Sequence, residues 1–381
     1  MDHDPGQRRM SEGRLLQGSR MRIATVYQPR RFYPFTIRGR RFSRHSMDNI
    51  VWVRLSQAIA ALGFDVDLVT DRRRDLPLGP PGFRCVSFPR AGWSDYDVAV
   101  TLKQAGYQTL AREAGQVLPP VISILGSVVG RTDDTPGVYF FGEPRRRLYE
   151  IQQQVQANSK LVVIQTEANK ELWEREFGSG DKLLLIPGGV DSAIPPPAKN
   201  PFGGFEEKIA IYIGHIYRKE QKEVNLDWQR RLNRLGALLK KKNVRLCFLG
   251  SGDLDELDGK VVTVLGKVPN EQMWDYQYFA DVGIVLAQGR VQRNESTKIY
   301  YYLRTGLPVV SEAPVPNNDV IREAGAGLIA EYGDETMLAD MIQEAAHRRW
   351  DHDSAIRYIL DHHTYEHRAA LYQQAILSLG R

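Results

Sequence analysis

The segment NESTKIYYYLRTGLPVV, Asn294 to Val310, gathers the residue types that handle an anion. Ser296, Thr297 and Lys298 stand where a helix is predicted to begin, and a diphosphate is held by backbone N–H donors at a helix N-terminus plus one or two cations. The following TGLPVV places this helix just before a strand. Further cations, Arg218, Lys219 and Lys222, follow Gly214. Glycines close three successive predicted strands: Gly214, Gly250 with Gly252, and Gly266. A glycine there lets backbone approach a ligand and exposes N–H groups, although each taken singly also serves a tight turn. Arg218 and Lys219 read equally as a solvated loop.

Other chemistries lack their residues. His362, His363 and His367 include an i, i+4 pair, but no HExxH and no third ligand accompany it. Asp65-Val66-Asp67 and Asp253-Leu254-Asp255 resemble a DxD, yet the first lies inside a strand and the second in a loop or helix start. Gln28-Pro29-Arg30 follows the first strand, so the dinucleotide fingerprint is absent. Cys85 and Cys247 are the only cysteines, too few for a disulfide framework or a four-cysteine zinc site, and read as reduced buried thiols.

The elements that must position these residues alternate regularly. In the first half, strands are predicted at 21–28, 65–70, 97–101, 120–124, 161–165 and 182–186, with helices at 51–62, 144–158 and 167–177. The stretch 187–204, with PGG, PPP and NPFGG, interrupts the pattern. Alternation resumes with strands at 209–213, 244–249, 261–265, 282–286, 307–311 and 327–330, helices at 226–241, 270–279, 297–305 and 318–324, and a helical tail over 335–379. Strand–helix–strand units of this length imply parallel pairing. The chain of 381 residues is thus expected to form two doubly wound α/β halves, with ligands at the carboxyl ends of the strands and the cleft between two facing sheets. The net charge is +5, but residues 1–47 alone carry +8, leaving −3 for the rest. That asymmetry and the lack of zinc-finger or RNP-like motifs argue against nucleic acid. The N-terminus has no apolar signal region, and no stretch approaches the about 18 apolar residues of a membrane span; a cytoplasmic protein, peripheral at the inner face of the cell membrane, is expected.

The pattern S-x-K-x-x-x-[YF]-L-x-x-G-x-P-V-V, present as Ser296, Lys298, Tyr302, Leu303, Gly306 and Pro308, resembles the donor-site helix of GT-B glycosyltransferases of the GT4-like group. IPGGVD, IYIGHIYRKEQK, CFLGSGDLDEL, VLGKVPNEQMWDYQYFADVGIVL and REAGAGLIAEYGDETMLADMI are similar to further segments of that family, in its order. The resemblance implies a GT-B fold of two Rossmann-like domains facing a central cleft: a tail at 1–20, an acceptor-binding domain at 21–187, a linker at 188–204, a nucleotide-sugar-binding domain at 205–350, and helices at 351–381 crossing back onto the first domain. It implies transfer of a sugar from a UDP- or GDP-linked donor to a glycan or lipid-linked acceptor, in polysaccharide biosynthesis, with no metal cofactor. Gly214 and Gly250 would face the donor phosphates beside Arg218 or Lys219. Lys298, Ser296 and Thr297 would neutralise the leaving diphosphate, and the Val268 backbone would contact the base.

Two features depart from the family. Its E-x7-E pair falls here on Arg293 and Tyr301, with Glu295 available for one of the roles, and Ser46-Met47 replaces the paired glycine. Retention and inversion both stay open. The same pattern without the glutamates occurs in GumK-like glucuronosyltransferases, where Arg293 would pair with an acidic sugar. An inverting route needs a general base, for which Asp48, His45, Asp133 and Asp134 are the candidates. The loop QPRRFYPFTIRGRRFSR, with Arg30, Arg31, Tyr33 and Arg41 among its cations and aromatics, would lie on the acceptor side; such a loop suits anionic headgroups and shallow interfacial insertion. The rival readings are a GT-B sugar-nucleotide epimerase and an inactive nucleotide-sugar-binding partner of a glycan-assembly complex.

Overall fold

The computed structural model describes residues 20–27, 47–70, 76–77, 83–87, 92–112, 115, 117–132, 145–178, 180–216, 222–252 and 254–380. The first domain holds strands β1 (Arg22–Val26), β2 (Asp65–Thr70), β3 (Leu76–Pro77), β4 (Phe83–Ser87), β5 (Val98–Leu102), β6 (Val121–Leu125), β7 (Leu161–Ile164) and β8 (Leu183–Leu185). Their order is β3-β4-β2-β1-β5-β6-β7-β8, parallel except for β3 against β4. β5 and β6 are buried at every position, which is why they read as continuous apolar runs: a parallel sheet covered on both faces has no solvent side.

Helices α1 (Met47–Ala61), α2 (Lys103–Ala111), α3 (Arg145–Asn158) and α4 (Glu167–Phe177) flank this sheet. Helix α2 is not expected from the sequence, because KQAGYQTLA has neither apolar periodicity nor an uninterrupted helix interior. The glycine that spoils the pattern is what seats the helix. A Cβ at Gly106 would collide with the Val26 carbonyl oxygen on β1. Of the Asp65–Asp67 pair, Asp67 is engaged within the fold. Asp67 is buried and accepts from Tyr96 Oη at 2.8 Å and from the Arg22 and Arg84 guanidiniums.

The second domain holds β9 (Lys208–Ile216), β10 (Val244–Gly252), β11 (Val262–Gly266), β12 (Val282–Val285), β13 (Val309–Glu312) and β14 (Gly327–Ala330), all parallel in the order β11-β10-β9-β12-β13-β14. Its helices are α5 (Lys222–Lys241), α6 (Asn270–Tyr278), α7 (Thr297–Arg304), α8 (Asp319–Glu323) and α9 (Glu335–His347).

The tail predicted as one helical region is three helices: α9, α10 (His352–His362) and α11 (Tyr365–Leu379). Each starts on a side-chain cap. Asp334 accepts from the Met337 amide, Asp351 from the Ser354 amide and Thr364 from the His367 amide, replacing a missing intrahelical acceptor. The crossing back is shorter than expected. Ala355 and Ile359 of α10 pack in the second domain's core, whereas Tyr365, Ala369, Tyr372, Ala375 and Ile376 of α11 pack in the first domain's. The chain changes domain at Thr364, where Val190 of the linker pairs with it.

Candidate functional site

The site is built at the carboxyl edge of the second sheet. Gly214 pairs with Gly250, His215 with Ser251 and Ile216 with Gly252. A Cβ at Gly250 or Gly252 would collide with the carbonyl oxygen of Gly214 or Ile216 on the neighbouring strand, so close strand approach alone demands these two glycines. A Cβ at Gly214 would come within 2.9 Å of the Tyr212 ring. That glycine therefore makes room for Tyr212, whose ring stacks on Phe248 at 5.9 Å and 17° and faces the Lys298 ammonium at 5.3 Å. At the exposed end of this edge His215 Nδ1 and Ser251 Oγ lie 3.0 Å apart. Gly266, at φ +75° with open space around it, ends β11 in a left-handed turn. In the loop that follows, neither the N–H nor the carbonyl of Val268 has a hydrogen-bond partner among the described residues.

Helix α7 is held by its three tyrosines. Successive residues on a helix point about 100° apart, and IYYYL uses each direction differently. Tyr302 covers Gly283 on β12, accepts from the Ile213 N–H at 2.9 Å and donates to the Ile211 carbonyl at 3.4 Å. Tyr301 stacks on Trp274 at 5.3 Å and 17° and meets the Tyr365 hydroxyl at 3.2 Å. Tyr300 donates to Glu295 Oε2 at 2.9 Å. Before the helix, Asn317 clamps Ser296 in both directions, accepting its N–H at 2.8 Å and donating to its carbonyl at 3.0 Å. Ser296 is the N-cap residue but its side chain makes no cap bond. The Thr297 and Lys298 amides have no acceptor among the described residues. The helix start thus carries two N–H groups without an acceptor among the described residues, one of them the amide of Lys298 itself.

The electrostatics follow from burial. Desolvation alone lowers the Lys298 pKa to about 8, and no ion pair joins it to a carboxylate among the described residues. A partly buried cation without a counter-ion attracts an anion.

Glu295 has a different task. Its Oε1 accepts from the Gly188 N–H of the interdomain linker at 2.7 Å, and its Oε2 takes the Tyr300 hydroxyl. Burial raises its pKa to about 7 against the opposing pull of those two bonds and of Arg368. Arg368 holds the same turn through the Gly188 carbonyl at 2.8 Å, and meets His363 Nδ1 at 2.7 Å. His363 is kept neutral, its pKa pushed down to about 3 by burial first and then by Arg368.

A carboxyl that titrates higher in the folded than in the unfolded chain stabilises the fold below its unfolded pKa of about 4.3 and loses that contribution as pH rises through about 7. Glu295→Gln keeps an acceptor for Gly188 and removes the buried charge. Melting curves from pH 5 to 8 are expected to show the variant gaining on the parent as pH rises; parallel curves would refute this assignment.

The structure gathers Lys298, Thr297, Ser296, Gly214 and Gly250 at one edge, with Val268 on the loop beyond β11. Two of the expected donor residues are engaged elsewhere. Tyr301, only 4% exposed, lies in the core against Trp274 and Tyr365. Both carboxylate oxygens of Glu295 accept hydrogen bonds, one from the Gly188 N–H of the linker and one from the Tyr300 hydroxyl. The Arg293 carbonyl, which accepts from Thr166 Oγ1 at 2.6 Å, faces the first domain. Arg218, Lys219, Asp133, Asp134, Arg30, Arg31, Tyr33, Arg41 and His45 lie outside the described residues, as does the side chain of Asp48, whose backbone is in the first turn of α1. The sequence reading missed Tyr212, His215, Ser251, Asn317, Thr166 and Asn169. Of these, Thr166 carried a signal, standing between a strand and a helix as an N-cap. Among the described residues no group of three or more His, Cys, Asp and Glu could hold a metal, and no helix is long and apolar enough to cross a membrane.

Residues 207–348, most of the second domain, match the family model described as glycosyl transferases group 1. No curated protein matches the chain. Among solved structures it is similar to sucrose-phosphate synthase from Thermosynechococcus elongatus, at 16% identity and TM-score 0.69 over 94% of this chain and 99% of that one. It is similar to AviGT4, a glycosyltransferase involved in avilamycin A biosynthesis, at 16% identity and TM-score 0.62 over 94% and 98%. It is also similar to Anabaena HepE in complex with UDP, at 11% identity and TM-score 0.64 over 94% and 100%. These neighbours share the GT-B fold with the chain.

Proposed function

We propose that this GT-B chain, whose second domain matches the group 1 glycosyl transferases, moves a sugar from a UDP-linked donor to a glycan or lipid-linked acceptor. The observation that carries the reading is the partly buried Lys298 ammonium over the Tyr212 ring, with no carboxylate partner among the described residues, on a helix start whose Thr297 and Lys298 amides have no acceptor among those residues either. Donors held in place before the reaction stabilise charge as it develops, at no cost of reorganisation. Here the developing charge is that of the departing nucleoside diphosphate, and these groups neutralise it without a metal. UDP rather than another base is favoured by the HepE structure in complex with UDP. The base would sit on the loop after Gly266, against the Val268 backbone, which has no partner among the described residues.

The acceptor would enter from the first domain's edge. The Arg- and aromatic-rich loop at 29–45 supports an anionic or lipid-linked acceptor and peripheral contact with the cytoplasmic face of a membrane. Isothermal titration with UDP, GDP and ADP tests the core of the reading. UDP is expected to bind, and silence from all three nucleotides would end it. Incubating a bound UDP-sugar without acceptor then separates transfer from epimerisation, because an epimerase alters the sugar and a transferase at most hydrolyses it slowly.

A further inference from the structure

We infer that Asn169 and Thr166 of the first domain are positioning residues for the donor site, acting through the segment 293–298; this rests on the donor site proposed above. Residues 293–296 of the segment are each bonded, and to three different bodies. The Arg293 carbonyl accepts from Thr166 Oγ1 at 2.6 Å and from Asn169 Nδ2 at 3.3 Å. Asn294 Oδ1 accepts from Asn169 Nδ2 at 3.0 Å. Glu295 takes the linker amide of Gly188, Ser296 is clamped by Asn317, and Thr297 and Lys298 open the donor site. Gln292 braces the loop from behind, donating to the Asn294 carbonyl at 2.8 Å and accepting from the Gln288 amide at 2.9 Å.

The first-domain side of this clasp is itself rigid. Asn169 is 1% exposed, and its Oδ1 accepts from the Val128 amide at 3.3 Å. Thr166 is at the same time the N-cap of α4, accepting from the Asn169 amide at 3.2 Å. One hydroxyl therefore starts a helix and reaches across the cleft. Separating the domains breaks the bonds at Arg293 and Asn294, which lie four to five residues from Lys298 on the same segment. Domain closure and donor binding thus bias the same backbone, and a coupling of that kind is reciprocal: what closure does for the nucleotide, the nucleotide does for closure.

The test is a double-mutant cycle on UDP affinity, read by calorimetry on the full chain. Asn169→Ala and Asn294→Ala are each expected to weaken UDP binding roughly tenfold, the scale of lost buried hydrogen bonds. The double variant is expected to be no weaker than Asn169→Ala alone, because Asn294→Ala removes only a bond that Asn169→Ala has already removed. Hydrogen exchange supplies the second readout: UDP is expected to slow exchange at residues 166–170 in the parent and not in Asn294→Ala. A merely structural role for Asn169 would lower the melting temperature without this non-additivity. Affinities at the parent value, additive losses, or unchanged protection at 166–170 in Asn294→Ala would each overturn the clasp. Should Asn169→Ala fail to fold, Asn294→Ala, altered only on the second domain's loop, decides alone. A parent chain that binds no nucleotide refutes the donor site itself, an outcome distinct from a parent that binds UDP and variants that bind it equally well.

Discussion

Replacing Lys298 by Met is expected to weaken UDP binding roughly a hundredfold at pH 7 while making the unliganded protein more heat-stable. The loss is the scale of charge-assisted hydrogen bonds from the ammonium to a diphosphate, about 1.5–3 kcal/mol. The gain comes from the same charge. A lysine that titrates at about 8 when folded, against about 10.4 unfolded, supports the fold only above the unfolded value. That support is lost as pH falls through about 8, so at pH 7 the charged form is a cost. Removing it is expected to raise the melting temperature by roughly 2–4 °C, the shift that about 1 kcal/mol gives a domain of this size. The parent should also bind UDP more weakly as pH rises beyond 8, because deprotonation removes the charge the diphosphate meets, and the Met variant should lack that limb. Calorimetry and melting curves on the two proteins check all three statements. A variant that binds UDP as the parent does would remove Lys298 from the donor site; one that melts lower would mean its stem packing outweighs its charge.

The largest loss of stability is expected from Arg231→Ala. Arg231 is 5% exposed and Glu312 0%, and their side chains meet at 2.5 Å. Glu312 Oε2 accepts from the Ala287 amide at 2.6 Å, and Arg231 Nη1 donates to the Ala287 carbonyl at 3.1 Å. The pair therefore fastens α5, the end of β12 and the end of β13 at one point beneath the cleft. A buried pair contributes little compared with a well-packed apolar replacement, but removing one partner strands the other charge, at about 3–5 kcal/mol. The melting temperature of Arg231→Ala should fall by roughly 6–20 °C on that scale. The double variant Arg231→Met/Glu312→Met, with neither charge left, should recover much of the loss. Thermal melts followed by circular dichroism would show it; a single variant as stable as the parent would mean water reaches Glu312.

Much of the fold was legible because doubly wound sheets write themselves locally. Strands buried on both faces become apolar runs, and helices between them carry their own caps. The misses have a common cause. Helix α2 was hidden by Gly106, whose need is the β1 carbonyl it lies against, not anything in its own turn. The three-way division of the tail was written in the caps Asp334, Asp351 and Thr364, but the point at which the chain crosses domains depends on which core each helix meets.

For the proposed donor site, residue type and spacing single out Lys298 and Thr297, because a helix N-terminus beside a strand end is a local arrangement. The chemistry proposed for it, a cation and amides that would meet an anion, is likewise a property of a short segment. What only the tertiary structure decided is where neighbouring side chains turn. IYYYL reads as one apolar stretch, yet its three rings serve the sheet, the core and the hinge. Glu295 reads as a donor ligand and is bonded to a linker amide 107 residues away in the chain. Thr166 and Asn169 meet Arg293 across the cleft at separations of 127 and 124 residues. Hydrogen bonds and burial of that range depend on how two domains are set against each other, and no periodicity within either domain encodes it.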